Sequence, residues 1–371
     1  MKINSVLSRG SLFIVALAFN TSTHAAIDVS ASTISLQTNC TENSNVINNC
    51  FTDLNALNTW TWNTRIPSPS PGSPLKIEVG PGTFNGTFSC TSAPELGEDF
   101  GSVTIQGSGI HNTVLQNSSG PISTSKCNNM VFSDMTLKNT VNLFGVKNLG
   151  GTTVWNNIRI EGKGYAWFDS PNPCNTNGTH YWFNSTIIAT PAAGSARAYY
   201  TACDESWFYG SEIISRGSSG TITPIFATGG EVHVYGSVIR ALPTGNASAV
   251  AVTATNGSEV HIHGTGIDVI GTDSNNITAL AAATNGSIHA NSSSYVMQTG
   301  EGGNRTRISN NGGIVKAPYQ WETAATPPAI NTVTGSDTAI ITATDDNHPH
   351  LTVSDNSCAS KWFDINANSC L

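Results

Sequence analysis

The chain's 371 residues hold 16 Lys and Arg against 24 Asp and Glu, a net of −8, and only 11% of positions are charged. Nothing in it forms a basic stripe, so a nucleic-acid polyanion is excluded as partner. The abundance of Gly, Ser, Thr and Asn instead suits an all-β protein with many tight turns.

Residues 1–25 read as a secretory signal peptide. Lys2 and Arg9 precede the apolar run Leu12–Phe19, and Thr23-His24-Ala25 supplies small residues at the third and first positions before the cut. The run is too short to span a bilayer and no later stretch could, so the expected location is secreted or periplasmic, without a membrane span. Cleavage would take 16 basic residues to 14 against 24 acidic ones, a net of −10. All eight cysteines lie beyond the cut, and an even count in an exported chain suggests disulfides. Order along the chain pairs Cys40 with Cys50, Cys90 with Cys127, Cys174 with Cys203 and Cys358 with Cys370, although about 105 connectivities are formally open.

Residues 26–74 are expected to form an N-terminal cap and linker. Phe51, Leu54, Leu57 and Trp60 recur at helical spacing, predicting a short amphipathic helix that covers the open end of the strand-rich region after it. A Pro-Ser-Gly linker occupies 67–74.

From 75 to 316 the chain repeats itself. The clearest copies are Ala227-Thr228-Gly229-Gly230-Glu231-Val232-His233, Ala254-Thr255-Asn256-Gly257-Ser258-Glu259-Val260-His261 and Ala283-Thr284-Asn285-Gly286-Ser287-Ile288-His289. One turn residue marks each coil: Gly107, Asp134, Asn157, Asn184, Gly210, Gly236, Gly264 and Ser292, at intervals of 27, 23, 27, 26, 26, 28 and 28 residues. So steady a period, with β-branched alternation, predicts a single-stranded parallel β-helix with three strands per coil, because each coil can bury its apolar face only against the next. Two positions before each anchor lies one inward column, from Ile105 through Trp155 and Trp182 to Ala290; three after it lies another, from Leu137 to Ile267. Residues 317–371 are expected to form a strap and a disulfide-stapled tail.

Alternation also defines an outward face on the first strand of each coil. Glu205, Glu231 and Glu259 form one row, Trp207, His233, His261 and His289 a second, and Tyr209, Tyr235 and His263 a third. Carboxylates and imidazoles can serve as general acid and base, so Glu205, Glu231, His233 and His261 are the candidate catalytic residues. Trp207, Tyr209, Tyr235, Glu259 and His263 are the candidate substrate-binding residues, because aromatic faces stack on sugar rings. The bland alternative is a ladder of like residues repeated by neighbouring coils, with Glu and His merely paired. Imidazoles on adjacent strands can approach one ion, but the spacing is wide and no carboxylate is evidently placed to complete a site. No metal or cofactor is assigned.

Three segments resemble the pectin-lyase-like superfamily, and in their order the pectin methylesterases: Phe51-Thr52-Asp53-Leu54-Asn55-Ala56-Leu57, Ile77-Glu78-Val79-Gly80-Pro81-Gly82-Thr83-Phe84, and Val103-Thr104-Ile105-Gln106-Gly107-Ser108-Gly109-Ile110-His111. Val131-Phe132-Ser133-Asp134-Met135-Thr136-Leu137 fits the same pattern. The resemblance implies a right-handed helix. The esterase motifs are absent: Gly164-Tyr165-Ala166-Trp167-Phe168-Asp169 stands where that family has Gly-Tyr-Gln-Asp-Thr-Leu, and Ser206 stands at the nucleophile position. Two functions are expected from these features. One is an exported protein acting on or binding polysaccharide or a cell-surface glycan, such as that of a cell wall, in the manner of a pectinesterase-like hydrolase or polysaccharide lyase. The other is a non-catalytic surface or adhesion solenoid. Oligomeric state is left open.

Overall fold

A computed structural model describes residues 28–317, except 41–48, 90–100, 124–127, 142–143, 149–150, 170–177, 192–193, 274 and 300–302. In the tail it describes Ile340–Ala343, His350–Ser354, Trp362–Asp364 and Ser369–Cys370, which pair antiparallel in one sheet. The expected signal peptide lies outside the described residues. Among those described, no helix is long and apolar enough to cross a membrane.

The body is a parallel β-helix. The third strands of the coils form a nine-stranded sheet running from Phe88–Ser89 to Arg305–Asn311. The first and second strands merge into a nineteen-stranded sheet, because Met130–Asn139 and Thr152–Gly162 run unbroken through the corner between them. Every strand pairing within the coils is parallel and in the expected register. Ile105, Phe132, Trp155, Trp182, Phe208, Val234, Ile262 and Ala290 are successive partners, as are Leu137, Ile160, Ile187, Ile213, Ile239 and Ile267. All of these side chains are buried.

The anchors mark the corner between first and second strands. Asp134, Asn157, Asn184, Gly210, Gly236, Gly264 and Ser292 all have φ between 49° and 58°, the left-handed region that Gly, Asn and Asp tolerate best. Gly107 lacks that φ and has another reason: a Cβ there would stand 2.3 Å from the Asp134 carbonyl oxygen. The residue after each later anchor carries a hydroxyl. Ile158 N–H donates to Ser185 Oγ at 3.2 Å, Ser185 N–H to Ser211 Oγ at 3.2 Å, Ser211 N–H to Ser237 Oγ at 3.0 Å, and Ser237 N–H to Thr265 Oγ1 at 3.4 Å. Each buried corner N–H is thus satisfied by the next coil. Space around Gly236 is open, so a side chain there is opposed by backbone conformation alone. Gly236→Val is expected to cost about 1–2 kcal/mol, and Gly236→Asn clearly less, in urea denaturation. Equal costs for the two would show that φ does not govern this position.

The amphipathic helix is shorter than its spacing implied. It spans Leu54–Thr59, capped by Asp53 accepting from the Ala56 N–H at 2.7 Å, and continues as a π turn over Trp60–Thr64. Phe51 lies outside it, in the short strand Cys50–Phe51. Leu54, Leu57, Trp60 and Trp62 are buried, with Trp62 packed on Phe88 of the first coil. Arg65 anchors the linker beyond it, its guanidinium donating to the carbonyls of Ala31, Ser73 and Pro74.

Cys40 and Cys50 form the expected disulfide. Cys203 is also disulfide-bonded. Cys90, Cys127, Cys174 and Cys358 lie outside the described residues, and Cys370 is described only as part of its strand.

Candidate functional site

The first-strand face carries the three rows in register: Glu205–Glu231–Glu259, Trp207–His233–His261–His289 and Tyr209–Tyr235–His263. Neighbouring rings lie nearly parallel, Trp207 on His233 at 3.7 Å and 7°, and His233 on His261 at 4.8 Å and 9°. Tyr209 stacks on Tyr235 at 5.4 Å and Tyr235 on His263 at 5.0 Å. Here the structure adjusts the expectation of open stacking platforms. The parallel rungs bring ring face against ring face, so the outside meets ring edges, hydroxyls and nitrogens rather than open aromatic faces.

The imidazoles and carboxylates of this face interleave. His233 Nε2 lies 2.8 Å from Glu231 Oε1 and 3.8 Å from Glu205 Oε1. His261 Nε2 lies 3.3 Å from the same Glu231 oxygen and 3.4 Å from Glu259 Oε2. Glu205 also accepts from the Trp207 indole at 2.9 Å. Burial lowers the His233 pKa, partly opposed by Glu231.

A second cluster, which sequence reasoning misses, is sealed inside the helix. Asp204, Ser206 and Phe208 share inward parity, as do His180 and Trp182, and all five are fully buried. His180 Nε2 meets Asp204 Oδ2 at 2.9 Å, and His180 Nδ1 meets Thr153 Oγ1 at 2.6 Å. Asp204 Oδ1 accepts from the Gly178 N–H at 2.7 Å. Asp169 Oδ2 accepts from Thr201 Oγ1 at 3.0 Å and from the Asp204 N–H at 3.1 Å, while its buried Oδ1 has no hydrogen-bond donor among the described residues. Burial, reinforced by Asp204, raises the Asp169 pKa to about 8. Ser206 bonds the buried Tyr199 hydroxyl, so the residue at the esterase nucleophile position faces the core and no substrate could reach it. Parity with Trp182 and Phe208 was the available signal for this cluster.

A third arrangement is an open cleft of about 280 Å³ on the second-strand side, lined by Lys138, Arg159, Lys163 and Arg216 together with Glu161 and Asn139. Glu161 pairs with Arg159 at 2.7 Å and with Lys138 at 3.8 Å. Lys163 and Arg216 have no ion pair among the described residues. A further cleft, of about 320 Å³ near the N-terminal end, is lined by Gln37, Glu78, Gln106 and Ser108 and has no basic group. Neither cleft includes a residue of the stacked rows.

No protein-family model matches the sequence, and comparison with curated proteins returns no match. Among solved structures the chain is similar to pectate lyase Pel9A, with TM-score 0.41 and 11% identity over 79% of this chain and 80% of that one. It is also similar to the A-modules of the Azotobacter vinelandii mannuronan C-5 epimerases AlgE4 and AlgE6. These give TM-scores of 0.25 and 0.26 at 14% and 13% identity, covering 66% and 67% of this chain and 88% and 92% of those.

Proposed function

We propose that this is an exported polysaccharide-binding or polysaccharide-modifying β-helix protein whose basic cleft receives the carboxylates of an acidic glycan. The observation that carries this reading is the concentration of charge. Four of the chain's 16 Lys and Arg line one cleft with a single carboxylate among the described residues there, in a molecule whose net charge is −8. An acidic surface repels a polyanion elsewhere, so the cleft offers both attraction and register. Glu161 holds Arg159 and Lys138 in place, leaving Lys163 and Arg216 to meet the ligand. Arg can grip a carboxylate through two N–H groups, whereas Lys acts as a point charge. The stacked face is a second candidate surface, with edges and hydroxyls able to bond sugar hydroxyls. The helix Leu54–Thr59 serves as cover for the N-terminal end of the coil stack.

A specific observation favours the alternative, a non-catalytic surface solenoid: each of His233 and His261 is matched by carboxylates in a regular ladder, as a purely structural face would be. Affinity electrophoresis against a polyuronate and a neutral glucan, with product release assayed in parallel, separates the two. Polyuronate binding that weakens with salt, and falls by about tenfold in Lys163→Ala/Arg216→Ala, is the expected result. Equal retention of both proteins on the two polymers would remove the cleft from consideration.

A further inference from the structure

We propose that Glu231, His233 and His261 form a binding site for a single first-row transition-metal dication of the zinc type. This inference is independent of the basic cleft, which lies on other strands.

One donor atom from each of the three residues lies within 4.8 Å of the others. The shared carboxylate oxygen Glu231 Oε1 is 2.8 Å from His233 Nε2 and 3.3 Å from His261 Nε2. Donors about 2.1 Å from one ion stand about 3.0–3.4 Å apart, from octahedral to tetrahedral angles. Both oxygen-to-nitrogen separations are close to that range. The carboxylate that residue spacing alone does not reveal is Glu231, brought between the two imidazoles by the rung register.

The state of His233 points the same way. The residue is only 8% exposed, and neither ring nitrogen has a hydrogen-bond partner among the described residues. Nε2 stands 2.8 Å from Glu231 Oε1, a separation at which one ion can bridge the two atoms. An unmade bond at bonding distance is costly for a buried polar group. A shared cation accounts for two such atoms side by side without a proton between them, since ligands at about 2.1 Å on one ion sit about 3 Å apart. An imidazole already buried beside a carboxylate suits such a ligand set.

His261 must move a little. Its ring is parallel to His233 at 4.8 Å, so its lone pair has to swing toward the shared ion. Its side chain is 21% exposed, and the next ring in the row, His289, is already tilted by 37° from it, so the row tolerates the rotation. Glu205 and Glu259 flank the two imidazoles at 3.8 and 3.4 Å and can complete the coordination or its outer hydrogen bonds. Nitrogen donors on two positions select zinc-like ions over calcium or magnesium, which prefer all-oxygen sites.

The test is calorimetric titration of the chelator-stripped full chain with Zn²⁺, with Co²⁺ absorption as a spectroscopic probe. One saturable Zn²⁺ per chain, a visible Co²⁺ spectrum, and no response to Ca²⁺ or Mg²⁺ are expected. Glu231→Gln, which keeps size and shape, should weaken Zn²⁺ by about tenfold or more, and His233→Ala/His261→Ala should abolish it. His263→Asn, in the neighbouring row, should bind as the native chain does. Absence of saturable Zn²⁺ uptake by the native chain overturns the proposal, and so does uptake that survives in the double variant or is unchanged in Glu231→Gln.

Discussion

Replacing Asp169 by Asn is expected to make the protein more stable at pH 8 and to flatten its stability between pH 4 and pH 8. The carboxyl is fully buried, with one oxygen accepting from Thr201, Cys203 and Asp204 and the other without a donor among the described residues. Burial and the neighbouring Asp204 lift its pKa from 3.8 to about 8. Below pH 4 the group is protonated whether the chain is folded or unfolded, and stability is undiminished. As pH rises the unfolded chain releases the proton while the folded chain keeps it, which erodes stability by about 1.4 kcal/mol per pH unit until the folded group ionises. Asn mimics the protonated acid and never ionises, while its carbonyl retains the three accepted bonds. Urea midpoints at pH 5, 6.5 and 8 for both proteins give the comparison. Parallel curves would mean that Asp169 titrates normally in the folded chain.

The second large effect lies next to this cluster. Trp182 is sandwiched between Trp155 at 5.0 Å and Phe208 at 5.5 Å, both within 12° of parallel, and meets Trp167 edge-on at 5.0 Å. Trp182→Ala should cost about 3–5 kcal/mol, because the solenoid's continuous strands cannot collapse into the cavity. Trp182→Phe should cost far less than that, since it keeps the stack and removes a buried indole N–H that has no hydrogen-bond partner among the described residues. Chemical denaturation followed by circular dichroism measures both. A loss under about 1 kcal/mol for the alanine variant would show that the central coils repack freely.

Much of this architecture is readable from residue order because a β-helix writes its geometry as two nested periods. The two-residue alternation separates Trp182 and Phe208 from Tyr181 and Tyr209, and the interval between anchors places like residues side by side. The rows Glu205–Glu231–Glu259 and Trp207–His233–His261 are legible for that reason. What the residues do in those rows is less so, because the rung spacing decides that aromatic faces cover one another and that Glu231 falls between two imidazoles. The interior acids escape a search of the inward columns for apolar residues, although Asp204 and His180 carry the same parity as their buried neighbours. The basic cleft is hidden for another reason. Lys138, Arg159, Lys163 and Arg216 belong to different coils and to a turn, and no local motif joins them before the strands are laid in register.

The corner hydroxyls have a consequence for how such a chain can grow or shrink over evolutionary time. Ser185, Ser211, Ser237 and Thr265 are interchangeable receivers, each completing the coil before it. Excising one whole interval, for instance residues 211–236, would present Ser237 to the Ser185 N–H in place of Ser211 and leave both inward columns continuous. The unit of inheritance is then the coil rather than the residue. The thrice-written stretch between Ala227 and His289 has the form expected of copies made in that unit.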